Sequence, residues 1–192
     1  MIQSGGVRFI IWICVIVYIL QHIYSPDVIK KFGLVSIDNP DFNVMQLVSY
    51  GFLHGNAYHI CVNIILLAIF GSRIQNVLGT WNFLILFLIS VIGGGCIQTF
   101  TSEFSQSTIG ASAGVFGVML AFSCLFPHEK FNVLFTKLNI SAIWIVIFYV
   151  ASELYFILYN PVANVAHYSH LGGAITGLLF GLYWTKTLRT RK

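Results

Sequence analysis

Six long apolar runs dominate this sequence, and each is close to the length that one membrane-crossing helix needs. A helix requires about 20 predominantly apolar residues to cross a hydrocarbon layer of roughly 30 Å. The runs cover approximately residues 7–24, 47–70, 81–101, 112–126, 140–159 and 166–185. We therefore expect an all-α polytopic membrane protein with six transmembrane helices. The fourth run is short, which predicts a helix that begins below the membrane surface after a loop buried among its neighbours.

The composition excludes most other classes of protein. Hydrophobic residues make up 57% of the chain and charged residues only 8%, whereas soluble domains carry about 25% charged residues. A soluble enzyme domain and a nucleic-acid-binding protein are therefore excluded, and we expect residues 1–192 to form a single transmembrane domain in the lipid bilayer. The four cysteines stand singly in apolar runs, a pattern that favours buried thiols over a disulfide or a zinc site.

The positions of lysine and arginine predict the orientation of the chain. Segments on the cytoplasmic side carry the excess of positive charge. With the N-terminus inside, only Lys30 and Lys31 lie on the outer side. The inner segments hold the other eight basic residues, Arg8, Arg73, Lys130, Lys137, Lys186, Arg189, Arg191 and Lys192. We predict a cell-membrane protein with both termini cytoplasmic. Its outer loops cover about residues 25–46, 102–111 and 160–165, and the first lies partly in the membrane interface.

Strongly polar side chains inside the apolar runs collect at one depth. Such groups are costly in a membrane and point to function. They occupy the outer half of the second run and the outer ends of the fourth and sixth. They are His54, His59, Asn63, Ser112, His167 and His170. A shared layer of this kind predicts a site a few helical turns below the outer surface.

Residue spacing predicts how the second run contributes to this layer. His59 and Asn63 are four residues apart, so their side chains share one helix face. His54 lies five residues before His59, about 140° away around a regular helix. We therefore expect His54 to be a structural residue at the start of the helix.

Two ridges of small residues predict how the fourth and sixth runs pack. Such ridges let two helix backbones approach closely. One ridge consists of Ala113, Gly117 and Ala121, and the other of Gly173, Gly177 and Gly181. Pairing the ridges would bring Ser112 and His170 within side-chain reach.

A serine beside a histidine predicts nucleophilic catalysis, with the imidazole as general base. Residues 110–114 also match the GxSxG pattern of α/β-hydrolases. That fold is excluded because no strand precedes the motif and no βαβ alternation occurs. This sequence and the α/β-hydrolase motif share only a flexible backbone of small residues around an exposed serine hydroxyl.

Taken together, these motifs resemble the rhomboid family of intramembrane serine proteases. The resemblance rests on six runs, a long first outer loop and three motifs in order. The motifs are His54-x4-His59-x3-Asn63, Gly110-x-Ser112 and His170-x2-Gly173-x3-Gly177. It implies a rhomboid-like bundle of the minimal bacterial type, with Ser112 as nucleophile, His170 as base, and His59 and Asn63 in the oxyanion hole.

The resemblance also implies the partners of the protein. Its substrates would be membrane proteins cut in or near their transmembrane segments, with the fifth helix and the last outer loop as a gate. No cofactor or metal is implied. The sequence departs from many relatives at Phe116, where they carry Tyr, and at Met45-Gln46 and Gln75, where they carry Trp-Arg and Glu.

The sequence predicts a serine–histidine dyad rather than a triad. Glu153 is the one acidic residue placed inside a run, and its position near the middle of the fifth run predicts that it lies below the polar layer. Another group must then orient the imidazole. Phe116, one turn after Ser112 on the same face, is expected to pack against it.

Three other functions are compatible with parts of the sequence. A transporter would line a path with the same polar layer, although the inner halves of these runs are apolar or rich in glycine. A metal or haem site could use the four histidines but has no HExxH motif and leaves Gly110-x-Ser112 unexplained. A non-catalytic rhomboid-like protein could bind membrane helices with the same surfaces.

Overall fold

The computed structural model describes residues 5–24, 27–101, 107–132, 139–159 and 165–190. The first half of the chain forms a long helix, short helical pieces and a broken helix. These elements are α1 (Gly5–Tyr24), α2 (Asp27–Phe32), α3 (Gln46–Ser49), a 3-10 turn (Tyr50–Phe52), α4 (Ala57–Leu66), a π-helical turn (Leu67–Gly71) and α5 (Ser72–Leu78). Lys137, Arg191, Lys192 and most of the predicted last outer loop lie outside the described residues.

The second half of the chain forms the centre of the bundle and a small hairpin. Its elements are α6 (Thr80–Thr101), α7 (Ser112–Leu125), β1 (Lys130–Asn132), β2 (Asn139–Ser141), α8 (Ala142–Tyr159) and α9 (His167–Thr190). The strands β1 and β2 pair antiparallel, with Phe131 opposite Ile140. The sequence-based prediction did not include this hairpin.

The all-α membrane bundle is confirmed, and the structure describes four helices that are long and apolar enough to cross a membrane. These are α1, the continuous helix Ala57–Leu78, α6 and α8. The helix α7 has 14 residues and is about 21 Å long, short of the roughly 30 Å of a hydrocarbon core. The 24-residue helix α9 is long enough but not apolar enough to be among these four. The six-span count therefore stays a prediction.

The short helix α7 lies at the centre of the bundle. Ten of its 14 residues are buried, and its sequence is apolar on every side. A helix that is hydrophobic all round is the kind that a bundle encloses. Its N-terminal residue, Ser112, is thereby held below the surface by the surrounding helices.

The two small-residue ridges pair as the sequence predicts. A β carbon on Gly173 would lie 2.1 Å from the carbonyl oxygen of Ala113, and one on Gly177 would lie 2.0 Å from that of Gly117. Real β carbons essentially never approach so closely, so these positions admit only glycine without movement of the backbone. The close approach of α9 to α7 fixes the height of His170 against Ser112.

Buried polar contacts hold the first turn of α9. The Ser169 N–H donates to Oε1 of Gln98 on α6 at 2.9 Å. The Tyr50 hydroxyl lies 3.1 Å from the Ser169 hydroxyl and donates to the Val91 carbonyl at 2.7 Å. These bonds tie the turn that carries His170 to α6 and to the 3-10 turn before α4. Hydrogen bonds buried away from water are expensive to leave unmade, so the turn is firmly placed.

Candidate active site

Ser112 begins α7 two residues after a glycine in an unusual backbone conformation. Gly110 has a φ of 134°, and a β carbon there would lie 2.6 Å from Cε1 of His59. Both the positive φ and the close approach favour glycine. The Gly110 N–H donates to the Tyr50 carbonyl at 2.9 Å. The chain can therefore turn tightly into α7 and present the Ser112 side chain next to the His59 ring.

Ser112 and His170 form a direct hydrogen bond. The Ser112 Oγ lies 2.8 Å from Nε2 of His170, a normal length for such a bond. The two side chains come from the N-terminal ends of α7 and α9 and are half-buried. The structure thus brings together the two residues that the sequence nominated as nucleophile and base.

An aromatic ring fixes one face of the imidazole. The rings of Phe116 and His170 stack with centroids 4.6 Å apart and planes 7° apart. Phe116 also meets the ring of Tyr149 on α8 in an edge-to-face contact, with centroids 6.1 Å apart. Phe116 therefore connects the histidine to a neighbouring helix through ring contacts alone.

The structure places Glu153 in the site, and the prediction that it lies outside the polar layer is wrong. Its Oε1 lies 3.0 Å from Nδ1 of His170, and its Oε2 lies 2.5 Å from Nδ1 of His167. The contact to His170 has the distance of an ion pair but not the alignment of a linear hydrogen bond. The carboxylate thus faces the edge of the imidazole opposite to Ser112.

The error came from describing Glu153 only as near the middle of its run, without counting the residues between it and the outer end. Glu153 lies six residues before the end of α8 at Tyr159, about 9 Å below that end. His170 lies three residues into α9, about 4.5 Å below its start. A glutamate side chain is long enough to close most of this difference. A count of residues from the outer end of the run would have placed Glu153 near the site.

His59 and Asn63 lie on the first two turns of α4, and the His59 ring packs against Gly110, two residues before the serine. The helix is capped by Asn56, whose side-chain oxygen accepts the His59 N–H at 2.8 Å, a common N-cap arrangement. The Asn63 side chain is buried, and its amide donates to the His59 carbonyl at 3.0 Å. The amide nitrogen carries two hydrogens, so this bond uses one of them and leaves a second.

His54 is fully buried at the beginning of the same segment and is fixed to α1. Its backbone N–H donates to Oε1 of Gln21 at 3.0 Å, and the Gln21 amide donates back to the His54 carbonyl. The His54 and His59 rings meet edge to face at 5.1 Å. Sequence reasoning missed Gln21, although a glutamine inside an apolar helix is itself a signal.

One cluster among the described residues has the donor atoms of a metal site. Glu153, His167 and His170 each offer one ligand atom, all within 4.8 Å of one another. Both histidines already direct Nδ1 to the carboxylate. A cation bound through those nitrogens would replace both contacts. In the structure the carboxylate is hydrogen-bonded to His167 and lies at ion-pair distance from His170.

The comparison with known families gives the same assignment as the motifs. A sequence model of the rhomboid domain matches residues 41–187. The chain belongs to the rhomboid family. The match begins before α3 and ends within α9, so all the residues of this rhomboid site lie inside it.

Individual relatives are similar to this rhomboid chain at modest identity. Rhomboid protein 1, mitochondrial, of Saccharomyces cerevisiae is 28% identical over 175 residues, which are 85% of this chain and 48% of that protein. Rhomboid protease GlpG of Yersinia enterocolitica is 26% identical over 96% of this chain and 64% of that protein. Rhomboid protease GlpG of Haemophilus influenzae is 24% identical over 96% of this chain and 93% of that protein. The chain thus spans about half to two thirds of the first two relatives.

Proposed function

We propose that this rhomboid chain is an intramembrane serine endopeptidase in which Ser112 attacks the scissile peptide bond and His170 is the general base. The observation that carries the proposal is the 2.8 Å contact between Ser112 Oγ and His170 Nε2 within a bundle of apolar helices. A serine hydroxyl is a weak nucleophile unless an adjacent base takes its proton. Two of the similar proteins are named rhomboid proteases, which supports the same activity here.

The reaction divides into two halves. In the first, Ser112 Oγ bonds to the scissile carbonyl carbon while its proton passes to Nε2 of His170. The tetrahedral intermediate then expels the amine, which takes that proton from the imidazolium, and an acyl-enzyme remains. In the second half, water attacks the ester carbonyl, again with His170 as base, and Ser112 leaves with its proton restored.

The negative charge on the intermediate requires preorganised donors. The first N–H groups of α7 have no partner within their own helix and carry its positive dipole end. His59, packed against Gly110, and the second amide hydrogen of Asn63 supply donors from α4. Removal of one such donor lowers kcat by about 10²–10³ in a serine protease. We assign these groups to the oxyanion hole.

Substrates follow from where the site lies. Ser112, His170 and His59 all lie at the N-terminal ends of membrane helices, which the distribution of basic residues assigns to the outer side. We infer that the protein is a multi-pass protein of the cell membrane with both termini cytoplasmic. Its site opens outward and cuts membrane proteins in or near their transmembrane segments.

A cleavage assay in liposomes tests the proposal. Wild type and Ser112→Ala are reconstituted with a model single-span substrate, and products are followed by mass spectrometry. Ser123→Ala is the matched control, because Ser123 lies on the same helix and donates to the Leu120 carbonyl away from the site. We expect cleavage by wild type and Ser123→Ala but not by Ser112→Ala. Equal cleavage by all three would contradict the proposal, and substrate binding without cleavage by any would favour a non-catalytic binder.

A further inference from the structure

Glu153 is a buried acidic side chain on α8, a helix whose other residues are mostly apolar and exposed. The helix α8 buries only Ala142, Val146 and Glu153, and most of its surface is apolar and faces outward. A carboxylate at membrane depth is costly unless it is paired. Since Glu153 is 7% exposed, its contacts with two histidines account for its position.

The contacts of Glu153 favour, in each ring, the tautomer that carries the proton on Nδ1. A carboxylate accepts hydrogen bonds and donates none. With Oε1 at 3.0 Å from Nδ1 of His170 and Oε2 at 2.5 Å from Nδ1 of His167, both rings hold their proton on Nδ1. The Nε2 of His170 is then unprotonated, and it is this nitrogen that lies 2.8 Å from Ser112 Oγ. A general base needs that tautomer.

We propose that Glu153 is a positioning residue that makes the site a Ser112–His170–Glu153 triad, an inference that rests on the proposed function. The carboxylate holds the imidazole in the reactive tautomer and stabilises the imidazolium that forms when Ser112 gives up its proton. The imperfect alignment seen without substrate is ordinary for such sites, whose hydrogen bonds tighten when substrate binds.

His167 has a separate role in this arrangement. A carboxylate on a flexible side chain can rotate, and the bond from His167 to Oε2 leaves Oε1 pointing at His170. The His167 ring is itself held, because it stacks on Phe156 with centroids 5.5 Å apart. Phe156 therefore holds His167, His167 orients the Glu153 carboxylate, and the carboxylate in turn orients His170.

The third member of the triad comes from a different helix than the first two. Ser112 and His170 lie on the closely packed helices α7 and α9, whereas Glu153 lies on α8. An outward movement of α8 would leave the serine and histidine together and withdraw only the carboxylate. The position of α8 thus determines whether the base is oriented.

Three substitutions separate this role from a merely structural one. Glu153→Gln keeps the size but offers one acceptor where two Nδ1–H groups need two, so one imidazole must change its tautomer. We expect His170 to change, because its contact with the carboxylate at 3.0 Å is longer than the 2.5 Å contact of His167. Glu153→Asp keeps both acceptors on a shorter side chain. Glu129→Gln is the matched control, because Glu129 pairs with Arg73 at 3.6 Å near the surface, outside the site. All variants are checked for folding by thermal unfolding in detergent.

We expect kcat for the liposome substrate to fall by up to about 10⁴-fold in Glu153→Gln with little change in KM, as when a triad acid is replaced by its amide. Glu153→Asp should recover part of that loss, and Glu129→Gln should match wild type. Nitrogen-15 NMR of histidine-labelled protein gives a readout besides activity. The signal missing from His170→Ala identifies His170, which should carry its proton on Nδ1 in wild type and lose that preference in Glu153→Gln.

The outcomes are distinct. Active wild type with unchanged kcat in Glu153→Gln, or a wild-type His170 protonated on Nε2, overturns the triad and leaves the Ser112 and His170 proposal intact. A higher kcat in Glu153→Gln also overturns it, because Glu153 would then only hold α8 against α9 and hinder its outward movement. Wild type that is inactive in the same way as Ser112→Ala overturns both proposals. A fall in kcat together with the change of tautomer supports the triad.

Discussion

The ring of Phe116 lies flat against the ring of His170, with centroids 4.6 Å apart and planes 7° apart. Aromatic pairs of this kind contribute about 0.5–1.5 kcal/mol beyond the area they bury. Phe116→Ala should therefore lower kcat by up to about tenfold, since 1.4 kcal/mol corresponds to a factor of ten. Phe116→Tyr keeps the ring and should stay close to wild type. Steady-state cleavage of the model substrate measures both.

The substitution Phe116→Leu serves as a further control for this stacking. It fills most of the volume without offering a flat ring, so its activity should resemble that of Phe116→Ala. Leu, Ala and wild type with equal kcat would show that the imidazole needs no support on that face.

Asn63 is expected to act on the intermediate rather than on substrate binding. Asn63→Ala removes one donor for the oxyanion and should lower kcat by about 10²–10³ without raising KM. Asn82→Ala is a matched control, since the Asn82 amide donates to the Leu78 carbonyl four residues back, as Asn63 does to His59. If both variants lost activity equally, the effect would be one of helix stability and not of catalysis.

Gly177 tests whether the close approach of α9 to α7 places the histidine. A methyl group there would lie 2.0 Å from the Gly117 carbonyl oxygen. Gly177→Ala should destabilise the protein by about 1–3 kcal/mol, a typical effect of overpacking, and lower activity as the two helices separate. Thermal unfolding in detergent and the cleavage assay measure these effects.

Gly55→Ala is the control for this prediction. A β carbon at Gly55 meets only Cδ1 of Ile109 at an ordinary 3.7 Å, so this variant should unfold near the wild-type temperature. A Gly177→Ala protein as stable and active as Gly55→Ala would contradict the role of the ridge.

The helix motifs could be predicted from the sequence because they depend on local spacing. A four-residue repeat of small side chains specifies a helix face whatever the rest of the fold, and this placed Ser112 opposite His170. In the same way, His59 and Asn63 share a face because they are four residues apart. The packing of Phe116 against the imidazole likewise follows from one helical turn.

The contacts of Glu153 with His167 and His170 could not be predicted, because they depend on how α8 is placed in the bundle. No spacing within α8 relates Glu153 to His167 or His170, which lie on the next helix. The bond between Gln21 and His54 joins two distant segments and is hidden for the same reason. Local periodicity in the sequence shows which residues share a helix face. Which residues of different helices are in contact is known only from the tertiary structure.

The position of the cut tests the predicted orientation. Ser112 lies at the outer end of α7 in that orientation, so a single-span substrate should be cut near the outer end of its own transmembrane segment. Mass spectrometry of the two products locates the bond. Products cut at the inner end would show that the site opens to the other side of the membrane.

The most direct test of the central claim is to map where a fluorophosphonate reacts with the purified protein in detergent. These reagents phosphonylate an activated serine, so no knowledge of the natural substrate is needed. The account predicts a single adduct on the peptide that contains Ser112, retained in Ser123→Ala and absent from Ser112→Ala and His170→Ala. An adduct that persists in the folded Ser112→Ala protein, or folded wild type that gives no adduct, would contradict the claim that Ser112 is the nucleophile.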